Sequence, residues 1–182
     1  MDDFGFHAVI GLFDENTQKI FHEHWNQLSE KNLESKVKSD SSPPHITFAA
    51  YEGLTDEMLL AWVDTFCRNE CQLPIYFNHI GSFINQAVFL APRVTEELLA
   101  FHKRYHSRLE ENHGKIGWFY TPSSGEWVPH ATIMHNTPEE NKDAMPLLMD
   151  RFKPFKSIIT ALAVYKFYPA CEVAVFPLKK IP

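Results

Sequence analysis

The sequence predicts an α/β fold of two similar lobes, each a β-α-β-α-β unit, with a cleft between them. Three observations lead there. The word Pro44-His45-Ile46-Thr47-Phe48 returns as Pro129-His130-Ala131-Thr132-Ile133. The elements around the two words recur in the same order at nearly equal offsets: 82 residues separate Phe4 from Gln86, and 85 separate His45 from His130. Strand-like and helix-like stretches alternate along the chain, which implies layered sheets and helices.

The first half reads as follows. Phe4 to Phe13 is a largely apolar strand. Asp14 opens a helix expected through Leu33, with Ile20, Phe21, His24, Trp25 and Leu28 near helical spacing. A polar loop, Lys36 to Ser42, leads to the first motif strand. Thr55-Asp56-Glu57 starts a helix to about Asn69, and Leu73 to Phe83 is a strand that Gly81 weakens near its end.

The second half restarts the pattern. Ala87 to Ala91 is a strand, and Thr95-Glu96-Glu97 opens a helix through about Asn112. A longer loop, His113 to Gly125, precedes the second motif strand. Thr137-Pro138-Glu139 caps another helix, with proline suited to its first position. Ser157 to Phe167 and Cys171 to Leu178 are late strands. The pseudo-repeat halves are about 1–84 and 85–182, within a single bilobal domain.

In a strand, alternate side chains share a face. His45 and Thr47 therefore point one way, and Ile46 and Phe48 the other, into a core. His130 and Thr132 repeat that geometry. Facing lobes place the two motif strands on opposite walls of one cleft.

The chain has 182 residues, 45% apolar and 14% aromatic, enough for a substantial core. No apolar run reaches the length of a membrane span, so no membrane partner is expected. The acidic start, Met1-Asp2-Asp3, lacks the basic region of a signal peptide. Cys67, Cys71 and Cys171 make no disulfide framework. A cytoplasmic monomer is the expectation. The net charge of −6 argues against an extended nucleic-acid track. It leaves room for a small nucleotide, a cyclic phosphate or an RNA end in a cleft.

The paired Pro-His-x-Thr-hydrophobic strands, their separation and the bilobal order resemble the two-histidine (2H) phosphoesterase superfamily. Within it the chain resembles the LigT or 2′-5′ RNA ligase-like branch, which includes 2′,3′-cyclic phosphodiesterases. Gly81-Ser82-Phe83 followed by Ala87-Val88-Phe89-Leu90 is similar to that branch's stretch between the motifs. The resemblance covers nearly the whole chain. It implies mainly antiparallel sheets with helices outside, pseudo-two-fold symmetry, and catalysis without a cofactor. His45 and His130 match the catalytic positions, and Thr47 and Thr132 the phosphate-binding ones. Non-catalytic nucleotide binding and 2′-5′ end joining of RNA stand as alternatives.

Imidazole gives and takes protons near neutral pH. Opening a cyclic phosphodiester needs one group to take a proton from water and another to protonate the departing ribose oxygen. Which histidine does which depends on substrate orientation. Threonine hydroxyls beside them suit the non-bridging oxygens. Trp118, Phe119 and Tyr120 lie in the loop before the second motif, where they would stack on a base or else cover the core edge. Tyr120, with its polar tip, is the stronger candidate of the three. Phe83 and Tyr168 are further candidates for the cleft wall. Lys166 is expected to be a solvated lysine rather than a phosphate ligand. His102 and His106 have an i, i+4 spacing that can hold zinc. The residues between them include no acid, and that helix reads as solvent-facing, so no metal is expected. His7 and His79 have no readable role.

Overall fold

The computed structural model describes residues 5–39, 42–84, 86–167 and 169–181. Among them, seven strands form one antiparallel sheet. They are β1 (Phe6–Phe13), β2 (His45–Tyr51), β3 (Leu73–Phe83), β4 (Ala87–Pro92), β5 (Ala131–Met134), β6 (Phe155–Phe167) and β7 (Cys171–Pro177). The helices are α1 (Glu15–Ser29), the short α2 (Lys36–Ser39), α3 (Asp56–Cys67), α4 (Glu96–Tyr105), the short α5 (Gly114–Gly117) and α6 (Pro138–Arg151). The expected start of the first strand at Phe4 lies outside the described residues.

The strand order is β2-β1-β6-β3-β4-β5, with β7 added beside β6. Exchanging β1 with β4, β2 with β5 and β3 with β6 turns this order into its own reverse. That is the signature of the duplicated unit, and it carries a feature the sequence does not reveal. The third strand of each half pairs with the first strand of the other: β3 with β4, and β6 with β1. The sheet therefore does not divide at the boundary between the halves. The motif strands β2 and β5 end the order, yet they approach each other without sharing ladder bonds. The sheet curls until its two ends meet.

Capping sets the helix starts. Asp14, Thr55, Thr95 and Thr137 each accept a backbone N–H from the first turn. Thr137 and Glu140 complete a reciprocal capping box. Two helices end earlier than their apolar spacing suggests. α1 stops at Ser29 rather than Leu33, and Asn32 then takes a left-handed φ of 59°. α4 stops at Tyr105 rather than Asn112, and Leu109 takes a φ of 60°. In both cases the chain turns back toward a motif strand.

The main core lies between the sheet and the helices. Val9, Phe13, Phe21, Trp25, Phe48, Leu59, Phe77, Phe101, Ile133 and Leu162 belong to it. A smaller cluster, Ala8, Ile10, Ala163 and Tyr165, covers the opposite face of β1 and β6. Ile10 stands opposite Thr47 and Leu12 opposite His45. Directly opposed residues share a face, so this second cluster floors the concave side that carries the first motif.

Candidate active site

The first motif alternates as expected. His45 and Thr47 are partly exposed, while Ile46 and Phe48 are fully buried. In the second, Thr132 is partly exposed between the buried Ala131 and Ile133. His130 sits one residue ahead of its strand.

Both imidazoles are held the same way. His45 Nδ1 donates to the carbonyl of Pro43 at 2.7 Å, and His130 Nδ1 donates to the carbonyl of Val128 at 2.7 Å. A carbonyl only accepts, so Nδ1 carries the hydrogen in each ring. In the neutral form, Nε2 is then the bare, basic nitrogen. Among the described residues, neither Nε2 nor either threonine hydroxyl has a hydrogen-bond partner. Burial holds the pKa of both histidines below the ordinary imidazole value, against the raising effect of the carbonyl bonds. The positive charge of His130 lowers His45 further.

The two motif strands share an irregularity. Val9 pairs with Ala49 and Ile10 with Thr47, so Phe48 is an extra residue in its ladder. Val88 pairs with Met134 and Phe89 with Thr132, so Ile133 is the extra residue in the other. Each motif thus ends on a β-bulge immediately after its threonine. Bulges frequently sit beside functional sites, where they re-aim side chains. The freed carbonyls have partners from elsewhere. His106 Nε2 donates to the Phe48 carbonyl at 2.9 Å. Trp25 Nε1 and Ser35 Oγ donate to the Ile133 carbonyl at 2.9 and 2.6 Å. The Phe48 ring crosses Gly11 of β1, where a Cβ would sit 2.6 Å from it. Only glycine leaves that passage open.

Phe83 reaches the second motif. Its ring meets His130 edge to face at 4.8 Å and 86°, and Phe89 lies 5.1 Å from the same imidazole. Gly81 makes this possible, because a Cβ there would overlap the Phe89 ring. Trp118 and Tyr120 stand on a single 3-10 turn, Trp118 exposed and Tyr120 half-buried. Their turn packs on β2, with Gly117 against the Ala50 carbonyl, five residues past His45. Trp118 lies 5.4 Å from the His113 ring, and the Tyr120 carbonyl accepts from His102 Nε2. Tyr168 lies outside the described residues.

Three expectations change. The end of α4 is not solvent-facing: His102 and His106 are 3% and 2% exposed. Both donate Nε2–H to backbone carbonyls, which commits those nitrogens to hydrogen bonding. Lys166 is not a free surface lysine, because its Nζ donates to Asp56 at 2.8 Å. His7 has a role after all, since its Nε2 meets the other Asp56 oxygen at 2.8 Å. The two bonds, Lys166 first, hold the Asp56 carboxyl below the usual carboxylate range.

Trp127 is the residue that sequence reading missed. Its indole N–H donates to the Thr47 carbonyl at 3.0 Å, and its ring stacks on His102 at 3.7 Å and 11°. The available signal was a tryptophan three residues before His130, with no counterpart before His45.

A sequence-family model for the 2′-5′ RNA ligase superfamily matches residues 17–168. No curated protein sequence shows significant similarity to the chain. Among solved structures, TT0787 of Thermus thermophilus aligns with a TM-score of 0.64 at 15% identity, covering 97% of this chain and 100% of that one. E. coli LigT complexed with 3′-AMP aligns with a TM-score of 0.61 at 12% identity, covering 97% and 99%. E. coli LigT complexed with ATP gives 0.60 at 12% identity, with 96% and 98% covered. At these identities the structural likeness speaks for the fold.

Proposed function

Because the chain belongs to the 2′-5′ RNA ligase superfamily, within the 2H phosphoesterases, we propose that it hydrolyses phosphodiesters by paired imidazole catalysis. The substrates in this reading are 2′,3′-cyclic phosphates or 2′-5′ linkages of nucleotides and RNA ends. The observation that carries it is the matched pair of Nδ1–carbonyl bonds at His45 and His130. Two rings locked in the same tautomer present two Nε2 atoms of like chemistry.

In the proposed reaction, one neutral Nε2 takes a proton from water as its oxygen attacks phosphorus. The ribose oxygen on the far side leaves with the bonding pair, and the other imidazolium protonates it. The water–phosphorus bond forms as the phosphorus–ribose bond breaks, and the proton count balances. The hydroxyls of Thr47 and Thr132 donate to the non-bridging oxygens, where charge builds. The scheme calls on no metal.

The E. coli LigT complexes with ATP and 3′-AMP support a nucleotide as the ligand class. Phe83, whose ring lies against His130, supports a stacking role at this site, beside the further candidates Tyr120 and Trp118. Stacking of this kind contributes about 1–3 kcal/mol per base.

Turnover of a nucleoside 2′,3′-cyclic monophosphate, with and without chelator, tests the reading. It expects chelator-insensitive activity in the natural protein, with about 100- to 10,000-fold loss in His45→Ala and in His130→Ala. Near-normal turnover in either variant, or activity lost to chelator, overturns it. Nucleotide binding without product would instead favour a non-catalytic binding module.

A further inference from the structure

We propose that Trp25 and His106 are a matched pair of positioning residues, each capping the bulge carbonyl of the other half's motif strand. Trp25 belongs to α1 in the first half and caps Ile133 in the second. His106 ends α4 in the second half and caps Phe48 in the first. Each lies eleven residues beyond the N-cap of its helix, Asp14 or Thr95. The donors differ, an indole in one case and an imidazole in the other. Position, donor–acceptor distance and target are the same.

Two unlike side chains doing one job at equivalent places argue that the job matters to the motif. A bulge residue has a carbonyl its ladder cannot use. Left buried without a donor, that carbonyl would favour a different local backbone. The bulge follows the threonine directly, so any relaxation there redirects the His-x-Thr side chains. Both donors are deeply buried, with Trp25 and His106 each 2% exposed. Neither touches the concave face, so neither is a catalytic residue. The crossing also means that each half's helix sets the other half's histidine.

The inference rests on the acid–base reading of His45 and His130, so the test has two arms. The first measures kcat, KM and thermal stability of the full chain on a nucleoside 2′,3′-cyclic monophosphate. The variants are His106→Leu, His106→Gln and the double variant Trp25→Phe with Ser35→Ala. Loss of a cap should lower kcat about 10- to 100-fold while KM changes little, since small misplacements of reacting groups cost that much. His106→Gln, which restores a donor near Nε2, should recover most of the rate. The second arm follows the titration of both motif histidines by NMR, with no substrate present. His106→Leu should move His45 more than His130, and the Trp25/Ser35 variant the reverse.

Variants that melt earlier but keep the natural kcat per folded molecule would reduce both residues to structural supports and overturn the proposal. So would titrations that stay put, or that move in the cap's own half. Absence of turnover in the natural protein would defeat the acid–base reading alone, and the crossed NMR shifts would still decide this one.

Discussion

The indole of Trp127, three residues before His130, donates its N–H to the carbonyl of Thr47, two residues after His45, at 3.0 Å. This bond ties the approach to the second motif strand to the first motif strand, and the two strands share no ladder bonds. The stacked His102 ring steadies the indole from one side, and the Phe48 ring lies 5.7 Å away on another. His102 also anchors the Tyr120 carbonyl in the same loop. The loop that delivers His130 is thereby fastened to the strand that carries His45.

Replacing Trp127 with phenylalanine keeps most of the stack and removes the N–H. We expect a stability loss of about 1 kcal/mol, the usual cost of one hydrogen bond. We also expect kcat to fall about tenfold as the cleft loosens. Denaturant unfolding and steady-state kinetics on the same preparation check both. A kcat equal to that of the natural protein would show that the bond does not set the spacing of the histidines.

Thr47→Val and Thr132→Val remove a hydroxyl with little change of shape. Both hydroxyls lack partners among the described residues, so no internal hydrogen bond is lost. Stability should hold within about 0.5 kcal/mol, the usual range for changes away from special features. If the hydroxyls serve the transition state, kcat should fall about 10- to 100-fold for each. A change confined to KM would place them in ground-state binding only.

Stability should depend on pH through the buried histidines. Burial lowers the pKa of His24, His45 and His130 in the folded protein. The unfolded chain then binds more protons than the folded one as pH drops below the ordinary imidazole value of about 6.5. Folding is most favoured above that value and weakens as pH falls through the lowered folded values. Urea unfolding at about pH 7.5 and pH 5.5 should show the smaller unfolding free energy at the acid end. Equal values would mean that these rings ionise as freely in the fold as in the open chain.

Much of this was legible in the sequence, for physical reasons. Period-two alternation placed His45, Thr47 and Thr132 on one face, and the threonine and aspartate caps placed the helix starts. The bulges were not legible. Phe48 and Ile133 are apolar and buried whether or not they pair, so the pattern is the same with or without an extra residue. The exchange of β3 and β6 was hidden because equal offsets describe a duplication under either pairing. His106 misled because Lys103 and Arg104 lie beside it in sequence while its own side chain turns inward to a carbonyl of a distant strand. In the sequence Trp25 is one more apolar residue on a helix face, and nothing in its spacing shows that its indole nitrogen also holds the second motif.

The most direct test of the central claim is the pH dependence of kcat/KM on a nucleoside 2′,3′-cyclic monophosphate. One imidazole must be neutral and the other protonated, so the profile should be bell-shaped and report two apparent values for the pair. Activity falls at low pH as the base gains a proton and at high pH as the acid loses one. Burial, together with the positive charge of His130 on His45, depresses the pair. The maximum should therefore lie on the acid side of about pH 6.5. A flat profile from about pH 5 to pH 9, far wider than an imidazole pair permits, would contradict the account.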